Sequence, residues 1–197
     1  MERDDDLYSF FSLAFRQKYI RRWGLMRNVD PENLAEHSSE TAMLTHALAV
    51  IGNTFFNKNY DVGRAVVLAL FHDIPEVYTG DLPTPVKYYS DDMRENYKII
   101  EKNSVNKLLE KLPDELKGVY NDILLPRGEE TELKNLVKTA DKLCAYIKCV
   151  EEEKSGNSEF KKAKETILRS LCGKNSPELE YFMRHFMPPF EMTLDEI

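Results

Sequence analysis

The stretch Leu68-Ala69-Leu70-Phe71-His72-Asp73-Ile74-Pro75-Glu76 decides how this chain is read. The apolar run Val66-Val67-Leu68-Ala69-Leu70 leads straight into three titratable side chains, His72, Asp73 and Glu76. An apolar run of this kind reads as a core helix, and Pro75, with no N–H to donate, kinks or ends it. Titratable groups carried to the edge of a core are costly unless they are paired or bind a metal. Imidazole nitrogen and carboxylate oxygen are good ligands for divalent transition ions. Successive residues stand about 100° apart on a helix, so at its end His72 and Asp73 can lean toward one ion. The plainer alternative is a surface His beside a locally bonded Asp, because His-Asp is a short and common dipeptide. The rest of the chain separates the two.

With 197 residues the chain suffices for one domain with a sizeable core. Its 27 basic and 34 acidic residues leave a net charge of −7. An acidic chain without a long basic run is a poor binder of nucleic-acid polymer, although one or two local cations and a metal can still hold a single phosphate. No apolar run approaches the roughly 20 residues of a membrane span, and Met1-Glu2-Arg3-Asp4-Asp5-Asp6 lacks the apolar region of a signal peptide. The three cysteines, Cys144, Cys149 and Cys172, are too few and too far apart for a disulfide framework or a thiolate zinc site. A reducing cytoplasm is the expected setting.

The periodicity predicts helices throughout. Leu7, Phe10, Phe11, Ala14 and Phe15 recur at helical spacing over Leu7 to Tyr19. A connection carrying Arg21, Arg22, Trp23, Gly24 and Arg27 follows, in which Trp23 either packs on the core or faces a ligand. Asp30-Pro31-Glu32-Asn33 signals a helix start, with Asp30 as a cap candidate followed by Pro31, and Gly52-Asn53 signals its stop after Val50-Ile51. His37 lies in the first turns of that helix. His46, nine residues on, points the opposite way and reads as a structural histidine. Asp61 can cap the central helix.

The turn-rich loop from Thr79 to Pro85 comes next, placed to position a substrate or simply to connect two helices. Asp91 to Leu112 reads as a long amphipathic helix with Tyr97, Ile100, Val105, Leu108 and Leu109 on one face, and Pro113 opens another through Ile123. From Glu130 to Glu153 the inward stripe is Leu133, Leu136, Val137, Ala140, Cys144 and Ile147, with Asp141 at its edge, either wetted or in need of a cation. Helices over Glu159 to Leu171 and Pro177 to Met187, stopped by Pro188-Pro189, complete an all-α chain. The tail from Phe190 to Ile197 is expected on the surface.

The ligand candidates are therefore His37, the His72-Asp73 pair and Asp141. This H…HD…D pattern resembles the HD-domain metal-dependent phosphohydrolases. The flanking runs are more specific: Arg22-Trp23-x-Leu25-Met26-Arg27-Asn28, Glu36-His37-Ser38, His72-Asp73-x-x-Glu76, Thr79-Gly80-Asp81-Leu82-Pro83-Thr84-Pro85-Val86-Lys87-Tyr88 and Ala140-Asp141-x-Leu143-Cys144-Ala145-Tyr146. They resemble the bacterial 5′-deoxynucleotidase branch of that superfamily, in the same order, from about Tyr8 to Leu194-Asp195-Glu196-Ile197. Gly24 departs from the pattern, where Pro is expected, and so does the acidic extension 1–6.

The resemblance implies a single HD-type helical bundle over 1–197 that hydrolyses deoxyribonucleoside 5′-monophosphates to deoxyribonucleoside and phosphate. It implies one divalent ion, cobalt or manganese ahead of zinc, and a homodimer. His37, His72, Asp73 and Asp141 are the implied metal ligands. Two imidazoles and two carboxylates, with room for water and phosphate, suit a five- or six-coordinate ion better than a closed tetrahedral zinc site. Asp73 would orient water while ligating, Glu76 would serve as general acid/base, and Arg22 would grip phosphate bidentately. The substrate contacts expected are Arg22, Trp23, His37, Asp73, Asp141 and the loop Asp81, Leu82, Pro83 and Thr84, with Trp23 as an apolar wall against C2′ of the sugar. A non-catalytic nucleotide-binding regulator and an HD hydrolase of guanosine tetraphosphate-type alarmones are the alternatives.

Overall fold

The computed structural model describes residues 7–87, 89–126 and 128–197; the acidic extension 1–6, Tyr88 and the Thr84 side chain lie outside the described residues. The described residues form helices α1 (Phe10–Ala14), α2 (Leu34–Phe55), α3 (Val62–Phe71), α4 (Glu76–Thr79), α5 (Thr84–Lys87), α6 (Asp91–Leu109), α7 (Asp114–Leu124), α8 (Thr131–Lys154), α9 (Lys161–Cys172) and α10 (Pro177–His185), and no β-strand. The all-α expectation is thus met. No described helix is long and apolar enough to cross a membrane.

The two longest helices build the core. Leu44, Leu48, Ala49 and Ile51 of α2 meet Leu136, Ala140, Leu143, Cys144 and Ile147 of α8, and α10 closes the far side with Leu179 and Phe182. Burying side chains of this size contributes about 1.5–3 kcal/mol each relative to exposure. A smaller cluster of Phe10, Ile74, Leu108 and Leu112 lies at the end of α3. Ile74, 1% exposed, pins the turn that holds His72, Asp73 and Glu76. Truncating such a side chain typically costs about 2–5 kcal/mol, so the turn is held by packing as well as by hydrogen bonds.

Local chemistry explains most helix ends. Asn33 caps α2, its side chain accepting from Ala35 N and Glu36 N while Glu36 reaches back to the Asn33 N–H. Asp61 caps α3, and Ser176 caps α10 with Pro177 behind it. Gly52-Asn53 does not stop α2, which runs on to Phe55. A Cβ on Gly52 would come 2.7 Å from the Tyr60 ring, so this glycine makes room for a close approach instead. The Asn53 amide holds the same segment, bonding both the N–H and the carbonyl of Tyr60.

Three further expectations are corrected. The first helix is only Phe10–Ala14 and passes into a 3₁₀ turn, Phe15–Tyr19; Phe10 alone of its phenylalanines is buried, while Leu7, Phe11 and Phe15 are exposed. Helix α6 ends at Leu109, and its buried residues are Tyr97, Ser104, Val105 and Leu108, with Ile100 exposed. His46 is exposed, so it is not a buried structural histidine; it does face away from His37, as the spacing predicts. Both Cys144 and Cys149 are free and buried, in keeping with their lying on different faces of α8.

Candidate active site

The N-terminal turns of α2, the end of α3 and the middle of α8 meet at one place because their apolar faces pack together. Each contributes a titratable group to the seam. His37, fully buried in α2, places Nε2 3.2 Å from Asp141 Oδ1 and 3.6 Å from Asp73 Oδ2. His72 Nε2 stands 3.1 Å from Asp73 Oδ2. The two imidazoles lie 5.4 Å apart, centroid to centroid. Three segments therefore bring His37, His72, Asp73 and Asp141 to one point.

The histidine orientations suit a cation. His72 Nδ1 donates to the Ala69 carbonyl at 2.6 Å, which directs Nε2 inward, where it is buried and, although 3.1 Å from Asp73 Oδ2, makes no aligned hydrogen bond. An imidazole held by one nitrogen so that the other is free is the arrangement of a metal ligand. Donor atoms of His37, His72 and Asp141 also lie within 4.8 Å of one another. Burial works against a charged His72, but Asp73, Asp141 and the Ala69 carbonyl outweigh it and raise its pKa to about 9. Burial likewise opposes charge on Asp73, yet His72, His37 and Arg22 hold this carboxyl well below its usual range. A field that favours a proton on a buried imidazole also favours a divalent ion. The donor set and the orphaned nitrogen fit one.

Glu76 opens α4 one turn beyond Asp73 and is 7% exposed. Its Oε2 is buried without a partner. Burial first, then repulsion from Asp73 and Asp81, raises its pKa to about 9, with Lys87 and Arg22 pulling the other way. This carboxyl can hold a proton at neutral pH. The Arg22 guanidinium is largely buried; desolvation disfavours its charge, and the carboxylates of Glu32, Asp141, Asp73 and Asp81 more than offset that.

Trp23 is half-buried with φ 57°, a left-handed backbone unusual for a bulky residue. Its ring lies 5.3 Å from Phe160. Asp81 is raised by burial and accepts a hydrogen bond from the Trp23 backbone. Leu82 and Pro83 are half-buried on the same segment, and the Pro83 carbonyl accepts from Val86 and Lys87. What reads as a loop from Thr79 to Pro85 thus runs into the short helix α5. Gly24 is exposed, and a Cβ there would meet nothing within 4 Å, so space does not demand glycine. A cavity of about 530 Å³ opens on His72, Asp73 and Asp141 from the side of Phe71, Lys87 and Lys138.

One residue of this assembly has no signal in the linear sequence. Glu32 reads only as part of a helix start, yet its buried carboxylate meets Arg22, Trp23 and His37. These contacts exist because the segment from Arg21 to Asn33 closes on itself, with Arg22 N donating to Glu32 O and Leu34 N to Ile20 O. Burial opposes its charge, and His37, Arg22 and Trp23 together hold the carboxyl below its ordinary value.

Fold and donor set together define an HD-type phosphohydrolase. The model of the family described as 5′-deoxynucleotidase YfbR-like matches residues 9–190, and the chain belongs to that family. A 5′-deoxynucleotidase of Cronobacter sakazakii (strain ATCC BAA-894) is 47% identical over 188 residues, covering 95% of this chain and 94% of its own. One from Yersinia pestis (strain Pestoides F) is 48% identical over 188 residues, covering 95% of each. Among solved structures, an HD-domain phosphohydrolase from Listeria innocua matches with a TM-score of 0.81 at 19% identity, over 92% of this chain and 88% of that one. The HD phosphohydrolase of cyanophage S-2L, solved with dA and one catalytic Zn2+ ion, matches with a TM-score of 0.66 at 22% identity, over 92% and 96%. Both share the fold.

Proposed function

We propose that this chain, acting as a single domain over 1–197, is a metal-dependent 5′-deoxynucleotidase that hydrolyses deoxyribonucleoside 5′-monophosphates to deoxyribonucleoside and phosphate. The observation that carries the reading is the meeting of His37, His72, Asp73 and Asp141 beside a buried Glu76 whose Oε2 has no partner and a largely buried Arg22. A divalent ion bound by those four residues supplies Lewis acidity and acidifies a water ligand. The family resemblance points to cobalt or manganese, and a mixed set of two imidazoles and two carboxylates with open positions is compatible with such a five- or six-coordinate ion.

The chain's own residues do the rest. Arg22 holds the phosphate as a fixed planar donor. Asp73 orients the attacking water. Glu76, a buried carboxyl one turn beyond Asp73 whose Oε2 has no partner, serves as the general acid/base. Trp23 walls the sugar at C2′, and the segment Asp81, Leu82, Pro83 and Thr84 lies against the nucleotide. A homodimer and a cytoplasmic setting belong to the same reading, the first resting on the family resemblance and the second on the cysteine pattern; sedimentation at micromolar protein tests the dimer.

A panel of deoxy- and ribonucleoside monophosphates and guanosine tetraphosphate, each run with cobalt, manganese and zinc, tests the proposal. Phosphate release from deoxynucleoside monophosphates, fastest with cobalt or manganese, is expected. Preferential pyrophosphate release from the tetraphosphate, or no turnover with any metal, would overturn it in favour of an alarmone hydrolase or a regulator.

A further inference from the structure

Glu32 sits at the join between two halves of the site. One half is the set of metal-ligand candidates on α2, α3 and α8. The other is the Arg22-Trp23 segment, expected to hold phosphate and sugar. Glu32 Oε1 lies 3.3 Å from Arg22 Nη1 and 3.6 Å from His37 Nδ1, while Oε2 accepts the Trp23 indole N–H at 2.9 Å. Its exposure is 8%, so water does not compete for these contacts. His37 Nδ1 is buried and makes no hydrogen bond, so the Glu32 carboxylate at 3.6 Å is an electrostatic neighbour close enough to bias where the ring carries its proton.

We propose that Glu32 is a positioning residue that couples the metal half of the site to the substrate half through one carboxylate. The inference rests on the nucleotidase reading given above. A carboxylate beside Nδ1 favours the tautomer with its proton there and leaves the Nε2 lone pair for an ion. The same carboxylate fixes the Arg22 fork. Its second oxygen ties down an indole that projects from a strained backbone at φ 57° and would otherwise have other rotamers open to it. Metal affinity, phosphate grip and sugar selection are therefore expected to move together when this one group is changed.

A direct ligand role for Glu32 is less consistent with its neighbours. Its donor atom does lie near those of His37 and Cys144, all three residues being buried. However, the Cys144 thiol is already engaged, donating to Glu40 Oε2 at 3.4 Å, and both Glu32 oxygens are taken, Oε1 by Arg22 and Oε2 by the Trp23 indole.

The test uses Glu32→Gln, with Glu32→Asp as the charge-conserving control. Gln has nearly the same shape but one acceptor oxygen, so its amide must face a donor on one side and cannot satisfy all three partners. The chain has one tryptophan, so emission excited at the red edge, where tyrosine does not absorb, reports Trp23 alone. Manganese affinity is measured by chelator competition, and kcat and KM are measured for deoxyadenosine and adenosine 5′-monophosphates, with circular dichroism as the check on folding. We expect Glu32→Gln to bind manganese at saturation with about 10- to 100-fold weaker affinity. We also expect its Trp23 emission to shift, its KM to rise and its deoxy-to-ribo ratio to fall, with Glu32→Asp recovering part of each.

Unchanged manganese affinity would reduce Glu32 to an anchor for Trp23 and overturn the proposal, as would complete loss of binding at saturation, which would make it a ligand. Should Glu32→Gln fail to fold, the same readings on Glu32→Asp decide. If the wild type hydrolyses no deoxynucleotide, the functional reading fails, while affinity and emission still decide the coupling between the two halves.

Discussion

Two buried glutamates make opposite use of one fold. Glu152, near the end of α8 and 1% exposed, accepts from Val29 N at 2.9 Å, Asp30 N at 3.1 Å, Asn157 Nδ2 at 2.7 Å and Lys148 Nζ at 2.6 Å. Glu76, at the turn after α3, is nearly as buried, yet its Oε2 has no partner. The consequence appears in their protonation. Burial opposes charge on Glu152, but Lys148, Val29, Asn157 and Asp30 bring its pKa down to about 2, whereas burial and two neighbouring carboxylates raise Glu76 to about 9. A buried carboxylate with every lone pair answered staples the segment after Trp23 to the core. One left unanswered and protonated has a proton to give.

The sharpest way to break this comparison is to remove the cation site beside Glu76. Asp73→Ala and His72→Ala should each abolish metal retention and turnover while keeping a helical spectrum; undiminished metal content in both variants would remove them from the ligand set. Next in size, Glu76→Gln should lower kcat by about 10²–10⁴-fold with metal content and KM held. A melting temperature held close to that of wild type would separate this loss of rate from a loss of fold. Near-normal turnover would assign the proton transfer elsewhere.

Glu152 should behave in the reverse way. Its folded-state pKa is depressed from 4.5 to about 2, so its contribution is full above 4.5 and is lost as pH falls toward 2. A shift of that size corresponds to about 3 kcal/mol. Glu152→Gln should lose stability of that order at neutral pH, converge with wild type in acid, and keep kcat within a few-fold at temperatures where it is folded. A stability gap between the two proteins that stays constant as pH falls below 4.5 would refute the assignment. The smallest effect is expected at Trp23. Trp23→Ala should lower the deoxy-to-ribo kcat/KM ratio by about 5- to 150-fold, the value of a buried hydroxyl left unpaired. An unchanged ratio in a folded variant would leave the indole, packed on Phe160, as a core anchor.

Family membership bears out the expected all-α fold and the expected phosphomonoesterase. That much is written in local and near-local pattern. The caps Asp61 and Ser176 act within three residues of themselves, so their signal survives in one dimension, whereas α2 begins at Leu34 behind Asn33 and not at Pro31 behind Asp30. The apolar stripe of α8 follows from helical period, which also places Asp141 at its edge. The His72-Asp73 pair is adjacent in the chain, and Pro75 marks the turn that aims it.

Other features depend on groups distant in sequence. Gly52 reads as a stop because glycine usually costs helix stability, but the Tyr60 ring decides that α2 continues past it. Phe11 and Phe15 share the spacing of Phe10, but only Phe10 meets Ile74 and Leu108, so only Phe10 is buried. Glu32 has no pattern of its own. It touches Arg22, Trp23 and His37 only because the loop between α1 and α2 folds back. Residue chemistry and spacing could name the ligand candidates, since each carries its donor wherever it goes. Whether a buried acid is answered, as Glu152 is, or left holding a proton, as Glu76 is, depends on which groups packing brings within about 3 Å, and only the tertiary structure decides that.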